Sequence, residues 1–211
     1  MKSDGWWWAL GGAAVFGGIA YVLFRDEPAG PVVTTTPPAA GEPLVAKSRL
    51  FGSYQYRPAP TKDNPEAIDI LGTWVADNIA QVHVPQLAGV SGAPKSAVVP
   101  FNKTAAPQLL GLFQAWQDAG LMPLVLTWNG SFSPRFVRGS KTTLSNHSWG
   151  AAFDINAQWN PLGSTPAVSG AKGSVRDLVS IAADHGFGWG GNYPGRPDGM
   201  HFEVNKILAT S

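Results

Sequence analysis

Cysteine is absent from all 211 residues, which excludes disulfide frameworks, thiolate metal sites and cysteine nucleophiles. Any metal must be held by His, Asp and Glu. Charge imbalance is absent as well: 15 basic and 14 acidic side chains leave a formal charge of +1. Such a balance offers no basic footprint and no acidic tail, so no nucleic-acid partner is expected. Internal repeats are also missing. The length suits one sizeable core with a tail or anchor, and one catalytic domain is the default expectation.

Only one stretch is apolar enough to concern a membrane. Trp6 to Phe24 runs for nineteen positions without a charge, just long enough at the helical rise to cross a bilayer. The expectation is an N-terminal transmembrane anchor over 1–25, with an uncleaved signal segment as its rival, since Lys2 precedes the run but no A-x-A site follows it. Trp6, Trp7, Trp8 and Tyr21 suit the interfacial aromatic belt. Residues 26–45 are rich in Pro, Thr, Ala and Gly, too poor in large apolar groups to bury anything and stiffened by proline. They read as a spacer leading into a domain over 46–211.

Within that domain, Asn64 and Pro65 resemble an N-cap and first helical residue, and Ile68, Leu71, Val75 and Ile79 share one helical face, predicting a helix near 65–81. A second helix is predicted over 104–119, with Leu109, Leu112, Phe113 and Trp116 facing inward and Gly120 past its end. Met122 to Trp128 reads as a strand. A third helix is bracketed by Ser174 and Gly186, with Val175, Leu178, Ile181 and Ala182 buried.

The chemistry concentrates in two places. In Leu144 to Asn156, His147 stands seven residues before Asp154, with Gly150 between them. Far downstream, His201 lies on a strand-like run. Two imidazoles and one carboxylate make a sensible zinc shell with a fourth position left open, the arrangement of a catalytic site. An odd separation forbids His147 and Asp154 from sharing one face of a regular strand, so one must sit on a turn, for which Gly150 offers the bend.

Asp198, three residues before His201, is placed to act as general base without ligating the metal. Upstream, Arg135, Arg138 and Lys141 form a local cluster of positive charge able to pair with a substrate carboxylate or steady an oxyanion. Glu203 shares a strand face with His201 and is either its orienting partner or a solvent-facing charge. His83 and His185 read as structural; Trp149, Trp189 and Tyr193 either line a substrate groove or, the favoured reading in so glycine-rich a setting, pack short loops.

The patterns S-x-H-x-x-G-x-A-x-D and D-x-x-H-F-E resemble the zinc D-alanyl-D-alanine carboxypeptidase and L-alanyl-D-glutamate endopeptidase family, which includes phage endolysins. Ser145, His147, Gly150, Ala152, Asp154, Asp198, His201, Phe202 and Glu203 carry the likeness. The resemblance implies His147, Asp154 and His201 as Zn2+ ligands, Asp198 as catalytic base and an upstream arginine that contacts substrate. Arg135 suits that place best, with Arg138 open beside it, and Ser145 is implied near the substrate. It also implies an α+β fold, a small antiparallel sheet flanked by helices as in hedgehog-type domains.

The function expected is hydrolysis of amide bonds in peptidoglycan stem peptides, of endopeptidase or carboxypeptidase type. The enzyme is expected to be membrane-anchored and to face the periplasm or cell wall, or to be exported or virion-associated as a phage lysin. The rival is a non-catalytic wall-binding or virion structural protein that keeps a structural zinc.

Overall fold

The computed structural model describes residues 47–209; the expected anchor and the Pro/Thr-rich spacer lie outside the described residues. Among the described residues, no helix is long and apolar enough to cross a membrane. The first elements are a short helix α1 (Lys47–Phe51) and an antiparallel pair, β1 (Tyr56–Pro58) with β2 (Ile68–Ile70).

The helix predicted over 65–81 does not form. Asn64 and Pro65 open a turn, in which the Asn64 carbonyl accepts from the Ala67 amide at 3.1 Å. Gly72 adopts φ 75°, a conformation that ends β2 and breaks any helical continuity. Only α2 (Trp74–Asn78) is helical there, and β3 (Ile79–His83) follows it directly. The β-branched Ile68, Ile70 and Ile79 favour pleated backbone, and the three-and-four spacing that suggested one helix is divided between two strands and a single turn.

β3 pairs antiparallel with β4 (Val98–Asn102), from Ile79 opposite Asn102 to His83 opposite Val98. Next comes α3 (Ala106–Asp118), with a proline in its first turn where a missing N–H costs nothing. Its Leu109, Leu112, Phe113 and Trp116 are all fully buried, as the helical periodicity predicts.

The expected strand over 122–128 is only partly extended. Met122–Leu124 forms a 3-10 turn around Pro123, which lacks the amide a ladder needs. Beyond it, Thr127 and Trp128 make isolated bridges to Ser91 and Ile155.

The rest of the domain supplies β5 (Ala152–Asp154), α4 (Val179–Asp184), β6 (Phe187–Trp189) and β7 (His201–Val204). The helix expected from Ser174 begins as a 3-10 turn at Arg176–Leu178 and becomes α-helical in α4. Val175, Leu178 and Ala182 are buried as expected, Ile181 is half-buried, and Gly186 takes φ 78° just past the end.

The architecture is α+β, but instead of one central sheet the described strands fall into three small antiparallel sheets, ordered β1-β2, β3-β4 and β5-β7-β6. With 25 glycines and 18 prolines in the chain, few runs are long enough to extend a wide ladder.

The core lies between α3 and the three-stranded sheet. Phe153 on β5 stacks between Trp128, at 5.6 Å between ring centroids, and Phe202 on β7, at 5.4 Å, while Phe113 and Trp116 of α3 meet this stack at tilted or edge angles. Offset and edge geometries of this kind add to area burial. Because strand side chains alternate, turning Phe153 and Phe202 into the core turns Asp154, His201 and Glu203 to the opposite face. The pairing sets Asp154 directly across from His201 and Ala152 across from Glu203.

Candidate metal centre

His147 sits in a 3-10 turn, Asn146–Trp149, that ends on Gly150 at φ 61°. A Cβ on Gly150 would lie 2.7 Å from Ile79 Cδ1 and 3.1 Å from the Asn102 amide nitrogen, so neither the backbone angle nor the space admits a larger residue. The turn reverses the chain into β5 and thereby resolves the odd spacing: His147 projects from the turn, Asp154 from the strand, and both reach His201 at the start of β7.

His147 Nε2 lies 3.2 Å from Asp154 Oδ1 and 3.1 Å from His201 Nδ1, and His201 Nδ1 lies 3.0 Å from Asp154 Oδ1. The opposite nitrogens fix the tautomers. His147 Nδ1 is 2.5 Å from the Ser131 carbonyl, which can only accept, so Nδ1 carries the proton and Nε2 turns a lone pair inward. His201 Nε2 faces Glu203 Oε2 at 3.6 Å, leaving Nδ1 to point at the same centre.

Three electron-pair donors thus converge with no proton between them, and a cation satisfies all three at once. A tetrahedral ion with ligands at about 2.0–2.1 Å would space them roughly 3.3 Å apart, close to the separations found. The donor set of two imidazoles and one carboxylate fits zinc and leaves a coordination position for water.

Without an ion the same charges shift one another strongly. Burial works to raise the Asp154 carboxyl, yet the neighbouring His147 and His201 hold it far below the usual carboxylate range. Burial works to lower the His201 imidazole, but its contacts with Asp154 and Glu203 push it up to about 10. Each group is tuned to keep opposite charge close; with a cation bound among them, His147 and His201 would present lone pairs instead of carrying that charge themselves.

Asp198 lines a cavity of about 370 Å³ together with His147, His201, Arg135, Ser145 and Tyr193. Its backbone amide donates to the Gly190 carbonyl at 2.8 Å, and its carbonyl accepts from His201 N at 3.1 Å, which fixes its place beside the third ligand. Oδ1 is buried without a hydrogen-bond partner among the described residues. Burial, followed among the raising influences by the Asp154 charge, pushes this carboxyl above the usual carboxylate range, a direction that would suit a proton acceptor.

The two arginines part company. Arg138 is exposed, and its Nη1 meets Glu66 Oε2 at 2.5 Å and Asn64 Oδ1 at 3.0 Å; it borders the cavity but is tied to the loop outside it. Arg135 is half-buried, and its side chain's one hydrogen bond among the described residues is to the Phe136 carbonyl at 3.2 Å. Burial and the neighbouring Arg138 charge lower its basicity while Asp154 and Asp198 act in the opposite sense, and it lines the same cavity as Asp198. Its backbone is clamped from both sides by Ser148 Oγ, at 2.9 and 2.8 Å.

Ser145 is buried on the cavity wall, and its amide donates to the Arg135 carbonyl at 2.9 Å. Lys141 is exposed on the loop beyond, and His83 is exposed on β3. His185 Nδ1 lies 2.9 Å from the Ile181 carbonyl at the end of α4, consistent with a structural histidine.

Several contributors escape the sequence reading. Glu203, left open between two roles, is fully buried and faces His201. Ser131 and Ser148 act through a carbonyl and a hydroxyl that no spacing rule marks. Trp149 and Trp189 pack as expected, with indole N–H groups donating to the Gly52 and Gly199 carbonyls, but Tyr193 borders the cavity rather than serving only as packing. An aromatic beside G-G-N-Y-P was the one available signal for it.

Residues 138–204 match the family model described as D-alanyl-D-alanine carboxypeptidase. The stretch includes all three ligand candidates and Asp198; Arg135 lies just outside it. The match supports the zinc DD-peptidases as a class, and a peptidase activity, without singling out a member. No curated protein and no solved structure matches the chain.

Proposed function

We propose that the domain is a zinc-dependent peptidase that hydrolyses an amide bond in peptidoglycan stem peptides. The observation that carries this reading is the convergence of His147 Nε2, Asp154 Oδ1 and His201 Nδ1 beside a cavity lined by His147, His201, Asp198 and Arg135. Zinc bound there supplies Lewis acidity and lowers the pKa of water to about 7. Asp198, with its raised pKa and unpaired Oδ1, takes the proton from the attacking water and returns it to the leaving amine. Arg135 offers its guanidinium to the negative charge that develops on the substrate carbonyl, and Ser145 lines the substrate's path.

Within this reading an endopeptidase is favoured by the shape of the site. The metal-side cavity shares Val137, Asn146 and Tyr193 with a neighbouring groove of about 640 Å³, so a chain can extend beyond the scissile bond. The D-alanyl-D-alanine carboxypeptidase version is favoured by the family match. Mass spectrometry of digested muropeptides separates them: cleavage between L-alanine and D-glutamate supports the first, and free D-alanine as the sole product sinks it.

The apolar run at Trp6 to Phe24 supports an enzyme tethered to the membrane or exported, as a phage lysin acting at the cell wall would be. A non-catalytic wall-binding module is the competing view. It wins if wild type and Asp198→Ala are both inactive on purified wall while both bind zinc tightly.

A further inference from the structure

Lys47 begins α1, directly after the Pro/Thr-rich stretch, and is 2% exposed. Its ammonium has three protons and three acceptors: the Val204 carbonyl at 2.5 Å, Asn205 Oδ1 at 3.2 Å and Glu203 Oε2 at 3.4 Å. Glu203 is fully buried on the sheet face that carries the metal ligands. Its Oε2 also receives the Asn146 amide and faces His201 Nε2, whereas Oε1 has no partner among the described residues. All the outward support for His201 therefore passes through one carboxylate oxygen.

A carboxyl group buried this completely is held in place by its polar contacts, and a cation lying against it is the strongest of these. His201 cannot serve as that cation while its other nitrogen ligates a metal, because a ligating imidazole is neutral. Lys47 is the remaining charge in contact. Removing its ammonium would take away the contact that fixes Glu203 Oε2 and leave that side chain free to turn away from His201 Nε2.

We propose that Lys47 is a positioning residue of the metal centre: by its contact with Oε2 it holds the Glu203 side chain in the place from which it orients His201, so the segment entering the domain is part of the ligand-fixing apparatus. This rests on the metal-binding reading of His147, Asp154 and His201. Lys47 acts through Glu203 and touches neither substrate nor metal. The stretch that matches the peptidase family starts 91 residues after it, at Arg138, so a fragment limited to that stretch lacks the apparatus.

The test uses the full chain, stripped of metal and titrated with Co2+ and Zn2+. The readouts are the cobalt ligand-field absorption, zinc affinity by chelator competition, and circular dichroism of the metal-free protein. Lys47→Met is expected to weaken zinc binding about 10–100-fold, the range for loss of an outer partner of a ligating histidine. It is also expected to alter the cobalt spectrum while the metal-free fold is kept. Glu203→Gln should do the same, and adding Lys47→Met to Glu203→Gln should cause no further loss, because the lysine has nothing left to hold.

If the single lysine variant fails to fold, the comparison of the double variant with Glu203→Gln decides the matter, since the double variant buries no unpaired charge. Unchanged affinity and spectrum in Lys47→Met, or a further loss in the double variant, overturns the proposal. Failure of the wild type to bind either ion overturns the metal reading itself.

Discussion

At the scale of single residues, the groups proposed to hold the metal and the group proposed to react differ in how they are paired. Asp198 is anchored by its backbone to Gly190 and His201, yet among the described residues its Oδ1 has no partner, an arrangement that costs stability and so calls for a functional explanation. Asp198→Asn should lower turnover on muropeptides by about 10²–10⁴-fold, the range for loss of a general base, with zinc content by mass spectrometry unchanged. Loss of zinc in this variant would make Asp198 a ligand instead.

The arginines give a paired prediction. Arg135→Ala should cut turnover by roughly 10²–10³-fold, as removal of an oxyanion-stabilising donor does. Arg138→Ala should leave turnover near wild type, because its guanidinium is spent on Glu66 and Asn64. The two arginines are three residues apart and indistinguishable by local pattern. Their difference lies in Glu66, a residue 72 positions from Arg138, which no short-range reading connects to it.

At the scale of elements, the turn at 146–149 and the short strands β5 and β7 decide whether three ligands meet. Gly150 is the tightest point. Gly150→Ala combines a positive φ with a 2.7 Å approach to Ile79, and it should destabilise the domain by about 1–3 kcal/mol, read from urea midpoints. A midpoint equal to wild type would mean the turn has slack. On the core side of the same strand, Phe153→Ala should cost about 3–5 kcal/mol, since its ring is sandwiched between Trp128 and Phe202.

Elements with unbroken periodicity were legible beforehand. The inward face of α3 follows from the spacing of Leu109, Leu112, Phe113 and Trp116, and the alternation A-F-D and H-F-E set the aromatic and ligand faces of β5 and β7. The segment from 65 to 81 was misread because its apolar spacing suits two architectures, and Gly72 and the β-branched residues favoured the strands. Pro123 likewise turned an apolar run into a turn.

At the scale of the whole molecule, metal and fold should be linked. Ligands from a turn, β5 and β7 are joined only in the native state, so an ion that binds there stabilises it by mass action, about 2.7 kcal/mol when free metal is 100 times its Kd. Treatment with a chelator should lower the melting temperature, and stoichiometric zinc should restore it, as followed by scanning calorimetry. An unchanged melting temperature would mean that the three side chains hold no ion under those conditions.

Residue types and their spacing alone marked the candidate donor set, Asp198 as the candidate base and the faces of the strands that carry the donors, because those depend on residue type and on periods of two and 3.6 residues. The absence of cysteine had already narrowed the ligands to nitrogen and oxygen. Only the tertiary structure decided which arginine faces the cavity, that Glu203 is buried against His201, and that Lys47 reaches across 157 positions to the end of β7. Such contacts are made between elements distant along the chain, whose meeting is set by how the core packs rather than by any local pattern.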